Sequence, residues 1–220
     1  MADSVLTFLD GYCERAGDPA MFAEPVNFIS NLCFIVAAVM VGRVLLRSHD
    51  KTIDLWLLVA ALFSIGIGSG LWHLYPTQTT MLADVIPIAL FINIFLIAGL
   101  RRLFGLSWRR TLCWWGLFQM LSVAAQTVLP PQLLHGSVMY LPTYAALVAL
   151  IFGLAKRDRE TAKIFMLVTT VWSLSLIFRT VDLEVCAAIP LGTHFLWHTL
   201  NAWVLWRLLM VLVGKRAPLR

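Results

Sequence analysis

The sequence predicts an all-α, polytopic membrane protein: a seven-helix transmembrane bundle with its N-terminus outside and its C-terminus in the cytoplasm. Three observations carry that expectation. Of 220 residues, 60% are hydrophobic and only 13% charged, and the mean hydropathy is +0.82, so there is too little polar surface to cover a water-facing domain. Long apolar stretches recur at lengths that suit a bilayer core of about 30 Å, which takes roughly 17 to 25 helical residues to cross. The basic residues fall between alternate pairs of those stretches, as the positive-inside rule describes. This composition disfavours a disordered chain, a disulfide-stapled mini-protein and an ordinary cytosolic enzyme.

Seven spans are expected, at about 25–46, 53–74, 82–100, 111–129, 137–155, 162–179 and 190–213. They are rich in Leu, Ile and Phe without period-2 alternation, and each is too long for a barrel strand, which leaves helices. The first opens at Pro25, whose fixed φ suits a first helical turn. The second carries Gly66, Gly68 and Gly70, small residues that admit close helix approach. Asp84 opens the third. The loop Pro130-Pro131-Gln132 precedes the fifth, Arg179 and Asp182 end the sixth, and Gly192-Thr193 leads into the last. Residues 1–24 form an extracytoplasmic segment, 25–213 the transmembrane domain and 214–220 a short basic tail. Met1-Ala2-Asp3-Ser4 lacks a basic region before an apolar run, so no cleavable signal peptide is expected.

Fifteen of the 17 basic residues lie on the expected cytoplasmic side. They include Arg43 and Arg47 after the first span, Arg101, Arg102, Arg109 and Arg110 between the third and fourth, and Lys156 to Lys163 between the fifth and sixth. Only Arg15 and Arg179 lie on the other side. The net charge of +5 is therefore a topology signal. Nucleic-acid binding is not expected, because these residues form no single stripe. Eight acidic residues, Asp84 and Asp182 among them, gather on the outer side against four inside. Ionisable groups at bilayer depth are costly, about 2.5 to 3.5 kcal/mol on insertion scales, and point to a functional site.

The histidines locate that site. His194 and His198 are four apart, so their imidazoles stack on one helix face. His73, at the end of the second span, reaches the same outer side, and Ser69 lies about 6 Å deeper on the same face at 1.5 Å per residue. A lone membrane histidine is more often an interhelical hydrogen-bond partner than a ligand. Three of them converging with Asp84 from three helices suggest a three-histidine zinc site with an open position, the arrangement that lowers the pKa of a bound water to about 7.

These residues resemble the alkaline ceramidase family, particularly its shorter bacterial members, within the seven-helix zinc-dependent membrane hydrolases that include adiponectin-receptor-like proteins. The resemblance rests on Ser69-x3-His73, Asp84 eleven residues later and His194-x3-His198, and also on Tyr12-Cys13-Glu14-Arg15, Ala23-Glu24-Pro25-Val26-Asn27 and Ser30-Asn31. It implies Zn2+ on His73, His194 and His198 and cleavage of the amide of a ceramide-like membrane lipid by metal-activated water. It further implies Asp84 as general base, and Ser69 as a ligand-positioning or oxyanion-stabilising hydroxyl. It also implies Ca2+ at Asp10, Glu14 and Glu24, although Asp10 is shifted by one position and Ala16 stands where the family offers an amide oxygen. The alternative for Glu24 and Asn27 is capping of the first helix and bonding within the bundle.

Several further residues carry weaker expectations. Arg179 and Asp182, at i, i+3, would form an ion pair at the mouth, with a lipid head group as the other use for them. Asn201 would be an outer partner of the histidines or interhelical glue. Cys13 and Cys186 both map outside and could bridge in an oxidising compartment, which would order the region over the metal. Cys33 and Cys113 read as packing residues. Two other functions remain open: a receptor-like or structural zinc protein, and a metal or proton transporter. The transporter is disfavoured because the ionisable residues cluster at one end instead of lining a path.

Overall fold

A computed structural model describes residues 11–49, 51–130 and 132–215, and all the regular structure in them is helical. Helices stand at each of the seven expected places: α1 (Pro25–Ser30) with α2 (Leu32–Arg47), α3 (Ile53–Leu74), α4 (Gln78–Phe104), α5 (Trp108–Val128), α6 (Leu141–Ala155), α7 (Arg159–Thr180) and α8 (His194–Val213). Six helical regions, counting α1 with α2 as one and α6 with the 3-10 turns before it as another, are long and apolar enough to cross a membrane. They mark a multi-pass membrane protein. The helix outside that six is α5, whose 21 residues include Trp114, Trp115, Gln119 and Gln126.

Where boundaries differ from expectation, local polar chemistry decides them. The third span was expected from residue 82, but α4 begins at Gln78, because Thr77 and Thr80 form a reciprocal capping box that satisfies first-turn N–H groups whatever the hydropathy. Asp84 therefore lies in the second turn instead of opening the helix, roughly 9 Å along the axis from Gln78 at 1.5 Å per residue. The first span is broken at Asn31. Beside the break, the carbonyl of Asn27 accepts from Ser30 Oγ and Asn31 Nδ2, side-chain bonds that compete with the regular ladder. The last helix starts at His194, four residues beyond the expected 190.

The core is one cluster of buried apolar side chains, among them Phe34, Leu62, Phe91, Phe165, Val168 and Leu209. Helices α3 and α4 share the largest interface, and Gly68 makes it possible. A Cβ at Gly68 would overlap the Ala83 carbonyl, so only glycine lets the two backbones meet there. At the basic end, Arg102 donates from Nε and Nη2 to Asp54 at 2.7 and 2.8 Å. Lys215 Nζ reaches Asp158 at 2.8 Å. Basic residues that signal topology in the sequence thus also tie the ends of α3, α4, α7 and α8 together.

Candidate metal centre

At the opposite end, His73 from the last turn of α3 and His194 and His198 from the first turns of α8 come together, each at most 3% exposed. Their ring centroids are 4.7 to 5.2 Å apart. One nitrogen from each lies within 4.8 Å of the others, close enough to hold a metal ion.

The hydrogen bonds around two of the rings set their tautomers. Glu24 Oε2 lies 2.5 Å from His73 Nδ1. Burial pushes the Glu24 carboxyl up, but its bonds to His73, Arg15 and Asn27 outweigh this and hold it below the ordinary value. An ionised Glu24 accepts, so His73 Nδ1 donates, and in the neutral imidazole that leaves the Nε2 lone pair for a metal. Ser30 Oγ, 2.7 Å from His198 Nδ1, donates its single hydrogen to the Asn27 carbonyl at 2.8 Å, so His198 Nδ1 also donates and its Nε2 is bare. His194 Nδ1 is buried with no hydrogen-bond partner. Bare nitrogens on two rings and an orphaned one on the third are what a divalent ion would satisfy.

His194 is placed through its backbone. Asp182 Oδ1 accepts from the N–H groups of Thr193 and His194 at 2.6 and 2.9 Å, and Oδ2 accepts from Cys13 N at 3.1 Å. The carboxylate approaches so closely because Gly192, at φ 65°, has no Cβ to overlap Asp182 Oδ1. The expected ion pair of Arg179 with Asp182 is therefore corrected. Backbone amides, which when buried have no water to turn to, take Asp182. Arg179 Nη1 donates to the His135 carbonyl at 2.7 Å and to Ser137 Oγ at 2.9 Å. Cys13 and Cys186 form a disulfide, which pins the N-terminal segment to the loop before α8.

Ser69 lies one turn below His73, beside the close Gly68 contact with Ala83 and Asp84, and with Asp84 it lines the cavity under the histidines. Asn27 Nδ2 donates to Glu24 Oε2 at 3.1 Å and so supports the partner of His73. Asn201 Nδ2 donates to Ser175 Oγ at 3.1 Å and the Trp197 carbonyl at 3.0 Å, binding α7 to α8 without touching a histidine nitrogen.

Of the residues expected to hold calcium, Glu14 accepts from Val26 N and Asn27 N at 2.7 and 2.8 Å, which covers orphan donors at the start of α1. Glu24 Oε1 accepts from Arg15 Nε at 2.6 Å, and Glu24 and Asn27 hydrogen-bond to each other. Asp10 lies outside the described residues.

Ser30, Tyr12 and Arg15 stand in the stretches that carry the resemblance, but sequence reasoning gave them no role. The spacing Glu24, Asn27, Ser30 and Asn31 was the available signal, a polar stripe of helical period in an apolar span. Tyr12 packs at a tilt against His194 and His73 with centroids 4.2 and 4.8 Å away, and burial raises its phenol above its ordinary pKa. It therefore roofs the site as a neutral ring. Behind the histidines an apolar cavity of about 1160 Å3, its open mouth included, is bordered by Ser69, Asp84 and Arg179 and continues to Phe118, Leu150 and Leu208. From His194 to Leu208 that is about 21 Å along α8. A second hollow of about 500 Å3 shares Tyr12 and Arg179 with the first.

Compared with models of known protein families and with curated proteins, the chain matches neither.

Proposed function

We propose that this protein is a zinc-dependent membrane amidohydrolase that cleaves the N-acyl amide of ceramide or a related lipid to a fatty acid and a sphingoid base, in the manner of the alkaline ceramidases it resembles. The observation that carries the reading is a buried three-histidine cluster, with nitrogens left for a metal, at the polar end of a long apolar cavity that also presents Asp84. Within the same reading α5 is a seventh span, the N-terminus is extracytoplasmic, and the metal lies toward that side.

His73, His194 and His198 would hold Zn2+, which would supply a water activated near neutral pH and a Lewis acid for the amide carbonyl. The chain's own residues do the rest. Asp84 takes the proton as water oxygen bonds to the acyl carbon, and returns it to nitrogen as the C–N bond breaks. Ser69, which lines the same cavity, offers a hydroxyl to position the reacting group or to stabilise the oxyanion. The cavity receives an acyl chain and keeps bulk water from it. Arg179, at the boundary of both hollows, stands where a head group or a released carboxylate would meet a guanidinium.

The test is zinc stoichiometry of detergent-purified protein, with fatty-acid release from a short-chain ceramide assayed in the same preparation. One zinc per chain with hydrolysis is the expected result. Zinc without hydrolysis of any N-acyl lipid would overturn the enzymatic reading, and no zinc would overturn the site.

A further inference from the structure

We propose that Arg15 is the positioning residue of the metal centre: one guanidinium grips His73 twice, its backbone carbonyl directly and its imidazole through Glu24. The proposal rests on the zinc reading above and goes beyond the ligands themselves.

Arg15 is 1% exposed, and an arginine buried so completely must have its N–H groups met by acceptors. Nε donates to Glu24 Oε1 at 2.6 Å, Nη1 to the carbonyls of Asp18 and Ala20 at 2.9 and 3.1 Å, and Nη2 to the His73 carbonyl at 3.1 Å. That is an all-oxygen cage around one cation. Two of its carbonyls come from the chain just after Arg15, which curls around the guanidinium through two successive left-handed residues, Ala16 at φ 47° and Gly17 at φ 78°. The non-glycine Ala16 holds that conformation only where its surroundings enforce it.

The contact with His73 has its own logic. His73 lies in the last turn of α3, where helix carbonyls lack intrahelical partners and the dipole favours a cation. Arg15 supplies both the donor and the charge. Its other side holds Glu24, whose second oxygen takes His73 Nδ1. Backbone height and ring rotation of one ligand are thereby fixed by the same group. Metal-binding histidines are commonly oriented through a carboxylate on the distal nitrogen, and here that carboxylate is itself anchored by a planar fork. Lysine cannot replace it, because a single ammonium on a flexible stem cannot span acceptors on three sides.

The experiment compares the full-length, disulfide-intact wild type with Arg15→Lys and Glu24→Gln. Three quantities are read: zinc affinity by chelator competition, the visible absorption of the cobalt(II)-substituted protein, and thermal unfolding of the metal-free protein. Arg15→Lys is expected to weaken zinc binding roughly 10- to 100-fold, the usual range for loss of an outer-sphere partner, and to shift the cobalt band. Glu24→Gln should move both readouts in the same direction. Should Arg15→Lys not accumulate as folded protein, Glu24→Gln decides by the same two readouts. Lower thermal stability with unchanged zinc affinity and cobalt spectrum would reduce Arg15 to a structural role and overturn the proposal. Wild-type protein that takes up neither metal overturns this assignment and the zinc reading together, whereas normal uptake with indifferent variants overturns this assignment alone.

Discussion

His194 and Asp84 separate the two halves of the proposed chemistry, because one would hold the metal and the other would move the proton. His194→Ala removes one of three ligands, so the purified variant is expected to lose both zinc and hydrolysis, as metal analysis beside the lipid assay would register. Asp84→Asn keeps the shape but cannot take the proton as a carboxylate does. Zinc should stay near the wild-type level while kcat falls by roughly 10²- to 10⁴-fold, the usual worth of a positioned general base. Retained turnover in that variant would remove Asp84 from the role. The histidine pair and Asp84 were legible in the sequence because spacing and polarity in an apolar context are local signals. The roles of Ser30, Tyr12 and Arg15 were not, since these lie in contacts with residues 58 to 182 positions away, His198, His194 and His73.

Two helices carry predictions of their own. The α3–α4 contact depends on Gly68, and Gly68→Ala would drive a methyl into the Ala83 carbonyl. Forced overpacking of this kind typically costs about 1–3 kcal/mol. It would also shift Asp84 relative to Ser69 and the histidines along the cavity they line, so activity should fall further than a thermal-unfolding comparison alone would explain. Asp158 N-caps α7 through the N–H of Thr161 at 3.0 Å and pairs with Lys215. The bond from Lys215, then those from Thr161, holds its carboxyl well below the usual range. A depressed folded-state pKa contributes stability that is complete above the unfolded value near 3.9 and is lost as pH falls toward the folded one. Asp158→Ala should therefore lower stability by about 1 kcal/mol at neutral pH, with the gap from wild type closing below about pH 4 in unfolding measurements. A gap that widened on acidification would contradict the cap. The start of α4 shows the limit of pattern reading at this scale. Hydropathy begins the span at 82, yet Thr77 and Thr80 begin the helix four residues earlier, and that offset carries Asp84 inward to the level of Ser69.

Across the whole molecule, the disulfide of Cys13 with Cys186 closes a loop of sequence separation 173 and fastens the segment bearing Tyr12, Glu14 and Arg15 over the histidines. Wild-type protein should migrate faster on a non-reducing than on a reducing gel, and Cys13→Ala should abolish the difference. Removing the bond should lower the thermal midpoint, with about 2–4 kcal/mol the common range for native disulfides. It should also weaken zinc retention, because the roof and the Arg15 cage would lose their tether. Bridging of these two cysteines was expected on the condition of an oxidising outer side, so the bond accords with the N-out orientation of the proposed function.

The sequence by itself determined that this is a helical membrane protein, where its helices stand and which three histidines gather at one end. Those properties follow from period, composition and spacing, all of which act over a few residues. Only the tertiary structure decided what each charged group near the three histidines does. Asp182 serves backbone amides, Glu14 caps a helix, and Glu24 stands between Arg15 and His73. In a buried, low-dielectric site each ionisable group must find partners for all its donors and acceptors. Which partners are within reach depends on how distant segments pack, and that is not written in any one of them.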